Sequence, residues 1–368
     1  MKLSLTRACC RSYTFPIFRK PSSVLPRAIF HQSLSSSSSS SLKPKTPLFL
    51  RPPKHSATFS DLKKWHDWAN TLAYEVGSSF ADSDNGPDSS ILCRELKWLL
   101  EDSLEDNSLI PHLGIENNPN SVKLRIALDE LYGLWKERIE KRKPFQYLVG
   151  CEHWRDLVLC VEEGVFIPRP ETELIVDLVN EVVRDNEQLR NGIWVDLGTG
   201  SGAIAVGIGR ILGSKGKVIA VDLNPLAATV AAFNAHRYGL QDVIEIQQGS
   251  WFETLKGFEG KLSGVLSNPP YIPSDDICGL QSEVGKHEPI LALDGGLDGM
   301  DDLLHLCNGA ASMLKPGGFF TFETNGEKQC KFLVDYLEND CSGSFCNVSI
   351  VSDFAGIQRF VTGFRRAL

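Results

Sequence analysis

From residue 193 to the end of the chain, short β-rich runs alternate with helical patterns, and this alternation limits the possible folds more than any other feature. Strands are expected at 193–197, 218–221, 243–247, 264–267, 319–323, 346–352 and 358–364. Helices are expected over 174–185, 203–212, 225–238, 302–314 and 328–338. Parallel neighbours need a crossover of about a dozen residues, which these helices supply. The last two strands share only Asp353-Phe354-Ala355-Gly356, too short for a crossover, so the final strand should run antiparallel at the end of the sheet. The fold class is therefore α/β, a doubly wound, mostly parallel seven-stranded sheet with an antiparallel terminal strand.

A small all-α domain should precede it, over residues 60–143. Ser60 is placed to cap a helix carrying Leu62, Trp65, Ala69, Leu72 and Val76. Residues 77–90 read as turns. A second helix carries Ile91, Leu92, Leu96, Leu99 and Leu100, and a third carries Val122, Ile126, Leu128, Leu131 and Leu134. Trp65, Trp68, Trp98 and Trp135 read as packing residues. The run Glu101-Asp102-Ser103-Leu104-Glu105-Asp106 reads as an exposed acidic helix suited to a partner. Residues 144–165 form a hairpin linker, and 166–368 the α/β domain.

Charge divides the chain. Residues 1–60 contain ten Lys or Arg and no acid; the first is Asp61. Removing those ten from the 38 leaves 28 basic against 46 acidic residues, a net of −18 for the remainder. An acid-free start with arginines and the run Ser35 to Ser41 has the composition of an organellar transit peptide, so 1–59 is read as transit peptide and linker. The serine run points to the plastid stroma, with the mitochondrial matrix as the alternative. A body this acidic is unsuited to gripping a phosphate backbone, which needs Lys and Arg. No apolar stretch reaches the roughly 20 residues of a membrane span. Neither a nucleic acid nor a membrane is expected as a direct partner, and the protein should be a monomer. Eight cysteines beyond the leader show no C-x-x-C pair and no zinc spacing, so they read as free, mostly buried thiols.

Two motifs carry the chemistry. The strand ending in Asp196-Leu197 runs into Gly198-Thr199-Gly200-Ser201-Gly202, and glycines let the chain turn tightly and a ligand approach closely. Asp222 ends the next strand, where a carboxylate can accept both hydroxyls of a ribose. This fits a nucleoside-containing cofactor, including a dinucleotide. Asp196 favours S-adenosyl-L-methionine, because a carboxylate there would attract an ammonium and repel a pyrophosphate. The second motif, Asn268-Pro269-Pro270-Tyr271, follows the fourth strand. Two prolines stiffen the turn and hold Asn268 extended. Its amide is thus presented at a strand's carboxyl end, where open α/β sheets bind ligands.

Together these motifs resemble the class I methyltransferases acting on planar, conjugated nitrogens. Phe166-Ile167-Pro168-Arg169-Pro170-Glu171-Thr172-Glu173 is more specific, as are Pro144-Phe145-Gln146-Tyr147-Leu148-Val149-Gly150 and Glu288-Pro289-Ile290-Leu291-Ala292-Leu293-Asp294-Gly295-Gly296. With them, residues 60–368 resemble the HemK-type (PrmC) glutamine methyltransferases of peptide chain release factors.

The resemblance implies methyl transfer from S-adenosylmethionine to the glutamine amide nitrogen of a Gly-Gly-Gln loop, with an organellar release factor as partner. Asp196, Gly198, Thr199, Gly200, Ser201 and Gly202 would hold the methionine end, Asp222 the ribose, and Trp251 would line the adenine. Asn268 would also border the cofactor. Asn268, Pro269, Pro270 and Tyr271 would hold the glutamine, with Arg169 on the substrate side; Asn268, Pro269 and Tyr271 would be catalytic. No metal is needed, since a sulfonium is itself a good leaving group. Two departures from the family pattern, Ser263-Gly264 and the Thr324-Asn325 that interrupts Glu-Ile-Gly, are expected to affect local geometry only. An adenine-N6 nucleic-acid methyltransferase and a non-catalytic S-adenosylmethionine-binding module are the alternatives.

Overall fold

A computed structural model describes residues 44–108, 121–341 and 343–367. Most of the proposed leader, with its serine run, lies outside the described residues. The boundary at residue 59 needs correction, because the chain is already folded from the mid-forties. Leu48, in the 3-10 turn Leu48–Leu50, is fully buried in the core of the helical unit. Strand β1 (His55–Ala57) follows. Helix α1 (Phe59–Asp84) is capped by Thr58 rather than Ser60; the Thr58 hydroxyl accepts the Asp61 N–H at 3.1 Å.

The turn expected at 77–90 is mostly helix, since α1 continues to Asp84 and α2 (Ser89–Ser103) starts soon after. Gly77 marks where the two helices cross. A Cβ there would lie 2.3 Å from the Ser89 nitrogen. The acidic run is not an exposed helix either. Helix α2 stops at Ser103, and Ser103 and Leu104 are buried. Burial lifts the Asp102 carboxyl to about 6. The third helical stretch also starts later than expected. Val122 and Leu124 belong to strand β2 (Val122–Leu124), buried on either side of exposed Lys123 and paired antiparallel with β1. Helix α3 (Leu128–Glu140) completes a helical unit that carries this short ribbon. Trp65 and Trp135 lie at its centre, whereas Trp98 is half-exposed beneath Arg94.

Helix α4 (Phe145–Val149) leads to the hairpin β3 (Cys151–Trp154) and β4 (Leu157–Cys160). Helices α5 (Glu173–Arg184) and α6 (Glu187–Arg190) precede the alternating region. This runs β5 (Ile193–Leu197), α7 (Ala203–Leu212), β6 (Lys217–Asp222), α8 (Pro225–Arg237), β7 (Ile244–Gln248) and β8 (Leu262–Ser267). It continues with α9 (Ser282–Gly285), α10 (Asp301–Met313), β9 (Leu314–Glu323), α11 (Glu327–Asn339), β10 (Phe345–Ser352) and β11 (Gln358–Arg365).

Seven strands form one sheet in the order β10-β11-β9-β8-β5-β6-β7. Strands β7, β6, β5, β8 and β9 are mutually parallel, and β11 is antiparallel to both its neighbours, as the short connection requires. It sits one place in from the edge rather than at it. Helix α11 carries the chain past a gap, and the turn at 353–356 sends β11 back into that gap. Helices α5, α7 and α8 cover one face through residues such as Val176, Val179, Ile208 and Ala235, while α10 and α11 cover the other through Leu303, Leu306, Leu333 and Leu337. Gly264 in β8 accommodates the Trp194 ring, which a Cβ would meet at 1.9 Å. One of the two departures from the family pattern is thus compensated locally. Among the described residues the cysteines are unpaired, and most are buried.

The helical unit is fastened to the loop after β8 by buried charge. Glu283 accepts from Arg138 Nη1 at 2.9 Å and from Arg142 Nε and Nη2 at 2.7 and 2.5 Å. Arg138 also holds Glu95, and Arg142 holds Asp84.

Candidate active site

The chain order reverses at β5, whose neighbours are β6 on one side and β8 on the other. Ligands bind at such a switch point, beyond the carboxyl ends of the strands. Here Leu197 and Ser267 are cross-strand partners, and the Ser267 hydroxyl donates to the Leu197 carbonyl at 2.7 Å. The glycine loop after β5 and the Asn-Pro-Pro-Tyr turn after β8 therefore start side by side.

The loop needs its glycines. Gly198, Gly200 and Gly202 have φ of +71°, +56° and +82°, which residues with a Cβ rarely adopt. A Cβ on Gly200 would meet nothing within 4 Å, so the loop's crest faces open space. Gly202 is pressed against Ala231 of α8, where even a Cβ would come within 3.1 Å. Asn234, also on α8, donates to the Ser201 carbonyl at 2.8 Å and exchanges hydrogen bonds with both backbone groups of Cys160. A single buried amide thus ties the loop to the hairpin.

Asp196 lies beneath the loop, fully buried. Its Oδ2 accepts from the Thr199 hydroxyl at 2.5 Å and from the Ala205 N–H at 3.0 Å. Its Oδ1 has no hydrogen-bond partner. Burial pushes this carboxyl up to about 7, against the pull of those two donors. A buried acceptor left open next to a glycine loop suits a cationic group. Asp222 accepts from the Gly200 and Asn224 N–H groups at 2.7 and 2.9 Å, one on each oxygen, and burial raises its carboxyl too. Each oxygen keeps a lone pair for a ligand hydroxyl. Trp251 adopts an unusual φ of +44°, and its ring lies against Gly198. The expected cofactor residues are thus gathered at one edge of the sheet.

On the other side, the Asn268 Nδ2 donates to the Thr172 hydroxyl at 3.0 Å. That hydroxyl donates to Glu323 Oε2 at 2.7 Å, and the Tyr271 hydroxyl donates to Glu323 Oε1 at 3.1 Å. Gln329 on α11 holds the Tyr271 carbonyl at 2.9 Å. Pro269 and Pro270 stand between these two anchored residues. Arg169 Nη2 pairs with buried Glu288 at 2.5 Å, and its guanidinium stacks on Phe166. It is also close enough to Tyr271 to act on it electrostatically. The expectation that the Thr324-Asn325 departure affects local geometry only needs correction, because the Asn325 N–H donates to Gln329 Oε1 at 2.8 Å and the Gln329 amide in turn holds the Tyr271 carbonyl.

Residues 169–269 match the family model described as ribosomal protein L11 methyltransferase (PrmA). The chain is 39% identical over 269 residues to the release factor glutamine methyltransferase of Synechocystis sp., covering 73% of this chain and 88% of that protein. It is 35% identical over 303 residues to the enzyme of the same name from Thermosynechococcus vestitus, covering 82% and 97%. Among solved structures it is similar to a ribosomal protein L11 methylase from Lactobacillus delbrueckii subsp. bulgaricus, 22% identical, covering 56% of this chain and 84% of that one with a TM-score of 0.39.

The chain belongs to the release factor glutamine methyltransferase family. It is a methyltransferase, with the class I architecture described above. In this family member, sequence reasoning missed Thr172, Asn234, Glu323 and Gln329. Thr172 and Glu323 lay inside stretches already singled out, but nothing local showed that they meet 151 residues apart. Asn234 and Gln329 had one available signal, a polar residue at a position where its helix turns inward.

Proposed function

We propose that this enzyme methylates the side-chain amide nitrogen (N5) of the glutamine in the Gly-Gly-Gln loop of an organellar peptide chain release factor, as a monomer, with S-adenosyl-L-methionine as donor. The observation that carries this reading is the orientation of Asn268. Its NH2 end is committed to Thr172, which leaves Oδ1 to face a substrate. Relatives that align along most of the chain bear the name release factor glutamine methyltransferase, which supports the same target.

An amide nitrogen is a weak nucleophile, since its lone pair is delocalised into the carbonyl. The Asn268 Oδ1 and the Pro269 carbonyl accept the two N–H bonds of the target, which aims the nitrogen and favours positive charge growing on it. Tyr271, its hydroxyl held by Glu323, covers the planar amide and excludes water. Asp196 Oδ1 would take the ammonium of the donor, Asp222 its ribose hydroxyls, and Trp251 would flank its adenine. When bound, S-adenosylmethionine supplies an electrophilic methyl group on a sulfonium. The proton displaced from the amide is lost to bulk water as the methylated loop leaves. The acid-free leader supports a plastid location, with the mitochondrial matrix as the alternative.

Tritiated S-adenosylmethionine offered with a plastid release factor, its Gln→Ala loop variant, and DNA tests the reading. Label is expected on the intact loop alone; label on the Gln→Ala variant or on DNA would overturn it. Residues 1–43 fused to a fluorescent protein should enter plastids, and a cytosolic signal would overturn the proposed location.

A further inference from the structure

Inside the sheet's carboxyl edge, Glu323 is almost fully buried and binds one arm of the Asn-Pro-Pro-Tyr turn with each oxygen, Tyr271 directly and Asn268 through Thr172. Every link in this chain has a direction. An ionised carboxylate only accepts, so both hydroxyls must point their protons at it. The Thr172 oxygen is then left as an acceptor, and only the NH2 end of Asn268 can satisfy it. We propose that Thr172 and Glu323 are positioning residues that set the polarity of the Asn268 amide, so that its oxygen, and not its nitrogen, meets the substrate. This deepens the glutamine-methyltransferase reading and rests on it.

The same chain can run backwards. Protonated on Oε2, Glu323 becomes a donor to Thr172, and the Thr172 proton loses its acceptor. It regains one only if Asn268 turns its oxygen inward, and the substrate then faces an NH2 group that repels its own N–H bonds. The charged neighbours of Glu323 pull in opposite directions. Burial is the strongest influence and raises its carboxyl to about 7; Thr172, Tyr271 and Arg359 on β11 oppose the rise, and Glu171 adds to it. Arg359 is itself held by Asp353 at 2.9 Å, which tempers its effect on Glu323. The reversal therefore falls within the range in which an enzyme can be assayed.

Kinetics on release factor and selective side-chain NMR together test this. At saturating S-adenosylmethionine, where the donor's ammonium keeps Asp196 ionised, kcat of the wild-type enzyme should fall on the acid side of about pH 7, and Glu323→Gln should remove that limb while lowering the plateau. Thr172→Val should lower kcat by roughly 10–100-fold with KM for S-adenosylmethionine nearly unchanged, and Thr172→Ser should recover most of the loss. In wild type labelled at asparagine, the Asn268 NH2 resonances, assigned through Asn268→Ala, should titrate with the same midpoint. An acid limb that persists in folded Glu323→Gln, wild-type kcat in Thr172→Val, or Asn268 resonances that do not move with pH would each overturn the proposal. If the variants fail to fold, the NMR titration of wild type decides. If wild type leaves the release factor unlabelled, the functional reading fails, and the same titration still settles the polarity chain.

Discussion

Replacing Glu283 with alanine should loosen the whole molecule, although the residue lies on a four-residue helix in a loop. Its carboxylate accepts three charge-assisted hydrogen bonds from two arginines across the junction between the helical unit and the sheet. Both guanidinium groups are buried, with side-chain exposures of 2% for Arg138 and 9% for Arg142. Removing one partner of a buried pair costs about 3–5 kcal/mol, because the remaining charge stays desolvated. Here the penalty belongs near the lower end. Arg138 keeps two bonds to Glu95, and Arg142 keeps Asp84 at 3.0 Å. The expected loss is about 3 kcal/mol, or a melting temperature lower by on the order of 5–10 °C. Urea unfolding followed by tryptophan fluorescence measures it, with Glu338→Ala on the exposed face of α11 as a control. A loss below about 1 kcal/mol would refute the reasoning, since it would mean that water reaches the arginines as soon as the carboxylate is gone.

Three further outcomes follow from the site and its supports. Asn268→Ala should keep affinity for S-adenosylmethionine within several-fold, measured by calorimetry, and lower turnover at least about a hundredfold; unchanged turnover would make Asn268 only a turn residue. Asp196→Asn should weaken that affinity yet raise the melting temperature of the ligand-free protein at pH 8. The sign follows from the Asp196 carboxyl being raised to about 7 on folding: its contribution is complete below the ordinary carboxylate range and is lost as pH rises through about 7. The gain from Asn should therefore vanish near pH 4, and a pH-independent gain would exclude titration as its cause. Gly77→Ala should destabilise by about 1–3 kcal/mol in thermal unfolding although alanine favours helix, because its Cβ would meet the Ser89 backbone at 2.3 Å; a stabilised variant would show that α1 and α2 can part without cost.

Much of this enzyme can be read along one line of residues. Apolar runs and helical periodicity placed most strands and helices of the sheet domain within about five residues, because a strand buried on both faces reads as a short continuous apolar run and a helix repeats every 3.6 residues. The glycine loop was legible for a related reason. Positive φ at Gly198, Gly200 and Gly202 is a demand on single residues, visible wherever it falls. The errors lay where local signals compete with packing. Gly77 signals a turn only until Ser89 is seen against it, and Val122-Lys123-Leu124 reads as helix only until β1 lies alongside.

What sequence alone determined, then, was an alternating α/β body, two rigid loops at its strand ends, and the residue types those loops present. Tertiary structure decided how those residues are aimed. The direction of the Asn268 amide depends on Thr172, 96 residues away, and on Glu323, 151 residues beyond Thr172. A hydrogen bond's direction is a property of the whole chain of donors and acceptors, and that chain exists only once the β8 and β9 ends and the start of α5 have been brought together.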